Sequence, residues 1–524
     1  MSIPRNLQCV FFVIISVALV GCGAKSASND IGAQPSVRLL ESASMAKEES
    51  PMSEFNREQY NEIQENEFLD TMSQPQSTFS VDVDTASYAN VRRFITEGNP
   101  PPVGAVRLEE LVNYFTYDYP EPEDQHPFSV TTDIAPCPWN PANQLLRVGL
   151  KGQPIPYSER SQCNLVFLLD VSGSMMNPDK LPLVKSALRL LIEELAETDR
   201  IAIVVYAGAS GLVLDSTSVA KSSEILSAIE ELRAGGSTNG GEGIQLAYRV
   251  ARDHFVEHGV NRVILCTDGD FNVGITDQSE LVRLIQQEAK SKVYLSVLGF
   301  GRGNLNDAAM EKLADKGNGN YAYIDSMLEA RKVLVEQIGG TLITIAKDVK
   351  IQVDFNPVHV QSYRLLGYEN RMLENRDFRD DTKDAGEIGA GHTVTAFYEL
   401  VPKGSSNPAV SERKSEFVRP EIPASIDLDT RLTVNLRYKL PDGEKSSEFQ
   451  VRLPTAELNE IASTDFQFAS SVLAYGMLLR QSQYAGSANW DWVINTAESN
   501  IGEDPRGIRS EFVQLAKTAK RIMD

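Results

Sequence analysis

The sequence predicts an α/β protein. A doubly wound, mostly parallel sheet over residues 160–340 is flanked by a small α+β N-terminal module (59–155) and a β-rich plus helical C-terminal region (341–524). Three observations carry this. From about 162 onward, short buried-type β runs alternate with amphipathic helical segments, the pattern of a sheet covered on both faces. After about 342 the texture changes to strands separated by polar stretches, and the tail turns helical. The 524 residues fit about three domains at roughly 150 residues each. With 42% hydrophobic and 23% charged residues the composition is that of a globular protein, which excludes wholesale disorder and a multi-span membrane protein.

In chain order, Arg5 is the only charge before Cys22, and Cys9 to Val20 is apolar apart from Ser16. That run is shorter than the roughly 20 residues a bilayer span needs, and it suits the core of a signal peptide over 1–21. Residues 22–58 are Ser/Ala/Glu-rich without an apolar period and read as a flexible tether. In the N-terminal module, Phe79–Val83 alternates like a strand, Ser87–Thr96 and Arg107–Tyr114 read as helices, and Phe128–Asp133 and Leu145–Lys151 as strands. The central runs are Leu165–Leu169, Ile201–Tyr206, Val263–Cys266, Val293–Leu298 and Tyr321–Ile324. Helices are expected near 181–197, 222–233, 241–257, 277–290, 307–316 and 327–339. Five β segments follow, Ala346–Phe355, Val360–Leu366, His392–Leu400, Arg431–Leu440 and Glu448–Arg452, with loops at 375–391 and 403–428. Helices near 462–482, 488–498 and 508–522 end the chain.

Charge and cysteines bound the function. Fifty Lys+Arg against 72 Asp+Glu give a formal charge of −22, which repels phosphate backbones and argues against a nucleic-acid partner. Apart from Cys9 inside the apolar N-terminal run and Cys22 just after it, the cysteines are Cys137, Cys163 and Cys266. That odd number, without CxxC spacing, is not a disulfide framework. Cys163 and Cys266 fall on strands expected to be neighbours. Counted back from Asp170 and Asp268 they are offset by about 16 Å at roughly 3.3 Å per residue, beyond disulfide reach.

The chemistry lies at strand ends. The first central strand runs Phe167-Leu168-Leu169-Asp170-Val171-Ser172-Gly173-Ser174, and an open α/β sheet places ligands beyond the carboxyl ends of its strands. Two further segments reach the same rim: Gly235-Gly236-Ser237-Thr238-Asn239-Gly240-Gly241 and Thr267-Asp268-Gly269-Asp270. Carboxylates and hydroxyls without His or Cys are ligands for a hard divalent cation. Two aspartates balance its charge, and octahedral Mg²⁺ keeps positions open to an outside oxygen, such as a partner's carboxylate.

D-x-S-x-S, a Gly-rich loop bearing Thr and a strand-end T-D-G together resemble the metal-ion-dependent adhesion site (MIDAS) of von Willebrand factor type A domains. The resemblance implies a Rossmann-like fold and Mg²⁺ (or Mn²⁺ or Ca²⁺) held by Asp170, Ser172, Ser174, Thr238 and Asp268. The serines and, in one state, the threonine would bind directly, and the aspartates directly or through water. The stretches ENEF, STFSVDVDTASYANVRRF, AVRLEELVNYFTY and HPF within 65–128, and TDGDFNVGIT at 267–276, are similar to bacterial von Willebrand-type lipoproteins, as are the β-rich stretch and the helical tail. Glu67 departs from the Pro common in that first motif. Leu19-Val20-Gly21-Cys22 resembles a lipobox, which implies lipidation at Cys22 and a membrane anchor. Gly23 in place of a retention Asp favours the outer membrane if the cell is Gram-negative.

Other patterns read as structural. Asp82, Asp84 and Ser87 are too closely spaced for a calcium loop. His254 and His258 lack the Glu that a zincin helix places after its first His, since Phe255 stands there. Gly208-Ala209-Ser210-Gly211 is no nucleophile elbow, and Gly299–Gly303 has no Walker lysine. His126, His359 and His392 are scattered. The expectation is therefore a lipid-anchored cell-envelope protein, not an enzyme, binding a protein ligand through an acidic residue at the metal. The alternatives are a metal-stabilised scaffold or a metal-dependent hydrolase, for which no general base is apparent.

Overall fold

The computed structural model describes residues 58–81, 84–156, 159–207, 210–236, 240–269, 278–337, 340, 342–383, 385–405, 426–456 and 462–524. The chain begins with β1 (Leu69–Asp70), β2 (Gln76–Ser80), α1 (Ala86–Thr96), α2 (Leu108–Asn113), β3 (Phe128–Pro136) and β4 (Gln144–Gly152). The central unit follows: β5 (Cys163–Asp170), α3 (Leu181–Glu194), β6 (Arg200–Tyr206), β7 (Ser210–Ser218), α4 (Ser222–Glu231), α5 (Gly240–Asp253) and β8 (Val260–Thr267). It continues through α6 (Gln278–Ala289), β9 (Tyr294–Phe300), α7 (Asp307–Lys316), β10 (Tyr321–Ile324) and α8 (Met327–Arg331), which runs into a π turn at Lys332–Glu336.

The sheet order is β10-β9-β8-β5-β6-β7, with every pairing parallel except β6–β7. All eight residues of β5 are buried, because both faces are covered. One face packs α3, α4 and the π turn through Leu188, Ile225 and Val333. The other packs α5, α6 and α7 through Ile244, Ile285 and Met310. The doubly wound sheet expected from the alternating runs is thus present. Strand β7 was not anticipated: it is an edge strand, half-exposed, and its polar sequence SGLVLDSTS lacks a buried period.

Beyond this unit the chain adds β11 (Thr344–Phe355), β12 (Val360–Leu366), β13 (Met372–Leu373), β14 (Ile388–Gly389), β15 (Thr393–Pro402), β16 (Thr430–Lys439) and β17 (Ser446–Pro454). Helices α9 (Thr464–Arg480), α10 (Trp490–Ser499) and α11 (Ile508–Met523) complete it. The expected loop 375–391 contains a 3₁₀ turn at Asn375–Arg379 and strand β14. Most of the expected loop 403–428, from 406 to 425, lies outside the described residues.

The two flanking regions, separate in sequence, share their sheets. One sheet runs β1-β12-β15-β4-β3 and the other β13-β2-β11-β16-β17, with β14 on β11. Neither region alone has strands enough to cover its edges and apolar faces, so each completes the other. Ile351 shows the arrangement: it is fully buried in β11, opposite Phe79 on one side and Leu436 on the other. Ile351→Ala is expected to cost about 2–5 kcal/mol, read as a lowered urea midpoint. A loss under about 1 kcal/mol would contradict a shared core.

The helices are shared likewise. Phe115, just after α2, meets Phe468 of α9 and Phe512 of α11 edge-on at 5.0 and 5.6 Å. Thirteen of the seventeen residues of α9 are buried, so it is the central helix of this layer and lacks an exposed face. No helix among the described residues is long and apolar enough to cross a membrane.

Candidate metal centre

The parallel register sets the site. Leu169 of β5 lies opposite Cys266 of β8, so Asp170 closes one central strand and Asp268 follows the end of its neighbour. Both carboxylates are fully buried. The backbone N–H of Ser172 donates to Asp170 Oδ1 at 2.8 Å, which curls the chain so that the Ser172 and Ser174 hydroxyls stand 3.0 Å apart. Gly235 N–H donates to the Val171 carbonyl at 2.7 Å, and Gly173 N–H to that of Gly236 at 3.1 Å. The Gly-rich loop is thereby stitched to the serine turn. Thr238, the fifth expected ligand, lies outside the described residues, as does Asp270.

Asp170 Oδ2 is buried and meets no hydrogen-bond donor of good geometry among the described residues. Burial pushes the Asp170 carboxyl up to about 6, with a further rise from the Asp268 charge, against the pull of Ser172 and the Tyr206 hydroxyl. A carboxylate held this way is short of positive charge, and the surrounding oxygens suit a hard cation. The residues present therefore fit the implied metal. Ser172, Ser174 and the two aspartates face one rim, with the exposed Met176 beside them.

One neighbour escaped the sequence reading. Lys180, just before α3, is buried, and its Nζ donates to Asp268 Oδ2 at 2.9 Å. A lone lysine ahead of an apolar helix carries no local signal of that role. The loop after β9 packs against the same rim. Gly269 adopts φ +92, and a Cβ there would lie 2.6 Å from the Asn306 nitrogen, so only glycine allows the approach. The N-terminal segment is fastened to this loop: Gln59 N–H donates to the Leu305 carbonyl at 2.9 Å and Gly303 N–H to Glu58 Oε1 at 3.1 Å. Arg302 bridges Glu97 at the end of α1 and Asp179 beside Lys180, at 2.7 and 3.3 Å.

The other patterns resolve as structure. Asp84 accepts from Tyr321 N–H at 2.8 Å and pairs with Arg371 at 3.3 Å, and Ser87 donates to the Ala105 carbonyl at 2.7 Å. Asp82 lies outside the described residues. His254 and His258 fall past the end of α5, so they share no helix face, contrary to the helix expected to 257. His126 meets the Tyr438 hydroxyl at 2.9 Å and His359 the Leu428 carbonyl at 2.8 Å. In the Gly299–Gly303 loop an amide already holds the chain's own Glu58 carboxylate. Cys137, Cys163 and Cys266 are free and buried. Cys163 stands opposite Val260, six positions from Cys266. That separation is about 20 Å, rather than the 16 Å inferred from the aspartates. Burial pushes the Cys163 thiol up to about 12.

Comparison with known proteins agrees with this architecture. A family model described as von Willebrand factor type A domain matches residues 164–337, one described as von Willebrand factor matches 54–147, and one described as uncharacterized protein YfbK, C-terminal, matches 340–522. The chain is 42% identical over 473 residues to YfbK of Escherichia coli (strain K12), covering 89% of this chain and 81% of that protein. It is 29% identical over 192 residues to the bovine inter-alpha-trypsin inhibitor heavy chain H3, covering 34% of this chain and 21% of that one. The solved structure of a von Willebrand factor type A protein from Catenulispora acidiphila aligns with a TM-score of 0.42 at 16% identity, covering 77% of this chain and 98% of that one. With a type A domain at its centre and matching modules on both sides, the chain belongs to the YfbK family of von Willebrand factor type A domain proteins.

Proposed function

We propose that this is a lipid-anchored cell-envelope protein whose type A domain binds Mg²⁺ (or Mn²⁺ or Ca²⁺) and through it a protein partner. Asp170, Ser172, Ser174, Thr238 and Asp268 hold the ion, and Cys22 carries the lipid. The observation that carries the reading is Asp170 Oδ2, buried without a good donor beside two converging serine hydroxyls. The metal supplies a Lewis-acidic position for an outside oxygen, and a partner's Asp or Glu is its natural occupant. The exposed Met176 beside the rim offers that partner an apolar contact. In this reading the chain is a binding protein and not an enzyme.

The test is capture from detergent extract with the full chain, in Mg²⁺, in EDTA, and with Asp268→Ala. Specific partners are expected in Mg²⁺ alone. Partners retained through both perturbations would overturn metal-bridged recognition. They would favour a second reading, a metal-stabilised scaffold, suggested by the ties from the rim loop to Glu58 and Glu97. A scaffold would show a large metal-dependent melting shift with partner binding unchanged.

A further inference from the structure

We propose that Lys180 is a built-in counter-cation of the metal centre, which weakens divalent-cation binding and in exchange leaves the loaded site positive, so that it takes up a carboxylate from outside. The proposal rests on the metal reading above and adds to it the residue that sets its charge. Two aspartates alone would neutralise a divalent ion, so an external carboxylate would be drawn only by the ion's open coordination position. With the Lys180 ammonium present, the loaded site carries one net positive charge, which an incoming Asp or Glu carboxylate neutralises.

The lysine is placed for this by packing. It is 3% exposed, and Nζ donates to Asp268 Oδ2 at 2.9 Å. Its backbone is held at both ends, the N–H donating to the Asn177 carbonyl at 3.0 Å and the carbonyl accepting from Val184 N–H at 2.9 Å. Its alkyl chain runs along Gly301, which sits at φ +73, and a Cβ there would lie 2.3–2.8 Å from Cγ, Cδ and Cε of Lys180. The glycine makes the channel in which the lysine lies. A solvated surface lysine would be screened and contribute little, whereas a buried one acts at a lower effective dielectric. Two carboxylates and one ammonium thus form a single buried cluster, into which a divalent ion would be placed next to a like charge.

The test compares wild type with Lys180→Gln, which keeps an uncharged donor group, and Lys180→Met, which keeps none. Mn²⁺ binding to the full chain is read by the electron paramagnetic resonance of free Mn²⁺. Both variants are expected to bind Mn²⁺ at least about tenfold more tightly. At saturating Mn²⁺, acetate should displace Mn²⁺-bound water, followed by proton relaxation, at several-fold lower concentration in wild type than in either variant. Folded variants that bind Mn²⁺ no more tightly than wild type would overturn the proposal, leaving Lys180 a structural partner of Asp268. Failure of both to fold would overturn it equally, since the ammonium would then be needed to build the site. If the variants bind Mn²⁺ and wild type does not, the proposal is overturned, because Lys180 would then block the site and leave no loaded wild-type centre to take up a carboxylate. If none of the three binds Mn²⁺, the metal reading itself fails, an outcome distinct from a failure of Lys180 alone.

Discussion

Asp170→Asn is expected to weaken divalent-cation binding by at least about 100-fold and, without metal, to make the chain more stable rather than less. Both effects come from one feature, a carboxylate buried at the end of β5 with Oδ2 lacking a good donor. Burial first, and the Asp268 charge second, raise the carboxyl from 3.8 to about 6. Between these values the folded chain holds more protons than the unfolded one, so stability falls as pH rises through the window. The full penalty, about 3 kcal/mol, stands above pH 6. Asparagine keeps the acceptor for Ser172 N–H and removes the charge. In EDTA at pH 7 the variant should therefore unfold at higher urea than wild type, and at pH 3 the two should converge. A variant less stable than wild type at pH 7 would show that the carboxylate is satisfied within the protein.

Lys332→Met is expected to stabilise the fold by about 2–4 kcal/mol at pH 6, with the gain shrinking towards pH 10. Lys332 opens the π turn after α8 and is buried. Its Nζ finds no hydrogen-bond acceptor among the described residues, lying 2.9 Å from the centre of the Tyr114 ring and 3.9 Å from Glu329 Oε1. Burial, reinforced by the Arg92 charge and opposed by Glu329, lowers the ammonium to about 7. From about 7 to 10.5 the unfolded chain holds more protons, so stability rises with pH across that range, and the penalty is complete below 7. Removing one partner of a buried pair usually strands the other. Glu329 is not stranded, because Arg92 and the Tyr114 hydroxyl donate to it at 2.8 and 2.7 Å. Urea midpoints of the two proteins across pH 6–10 decide the matter. A destabilisation independent of pH would mean that Glu329 depends on the lysine.

Much of the central unit was legible because its signals are local. Each parallel strand is an unbroken apolar run, each covering helix has one apolar face, and Asp170 and Asp268 follow directly from where such strands stop. Strand β7 was missed because an exposed edge needs no apolar period. Lys180 was missed because its role depends on Asp268, 88 residues away, and on the space left by Gly301.

By itself the sequence determined the fold class, the alternation of parallel strands and covering helices in the central unit, and that Asp170 and Asp268 stand where two neighbouring strands stop, since periodicity and strand ends are local properties. Only the tertiary structure decided that the two flanking regions form common sheets, as Ile351 between Phe79 and Leu436 shows, and a common helical layer, as Phe115 against Phe468 and Phe512 shows. It also decided that an ammonium shares the buried site with the carboxylates. The physical reason is common to both: strand pairing and buried charge pairing are satisfied by whichever group the folded chain brings within about 3 Å, and sequence distance does not constrain that choice.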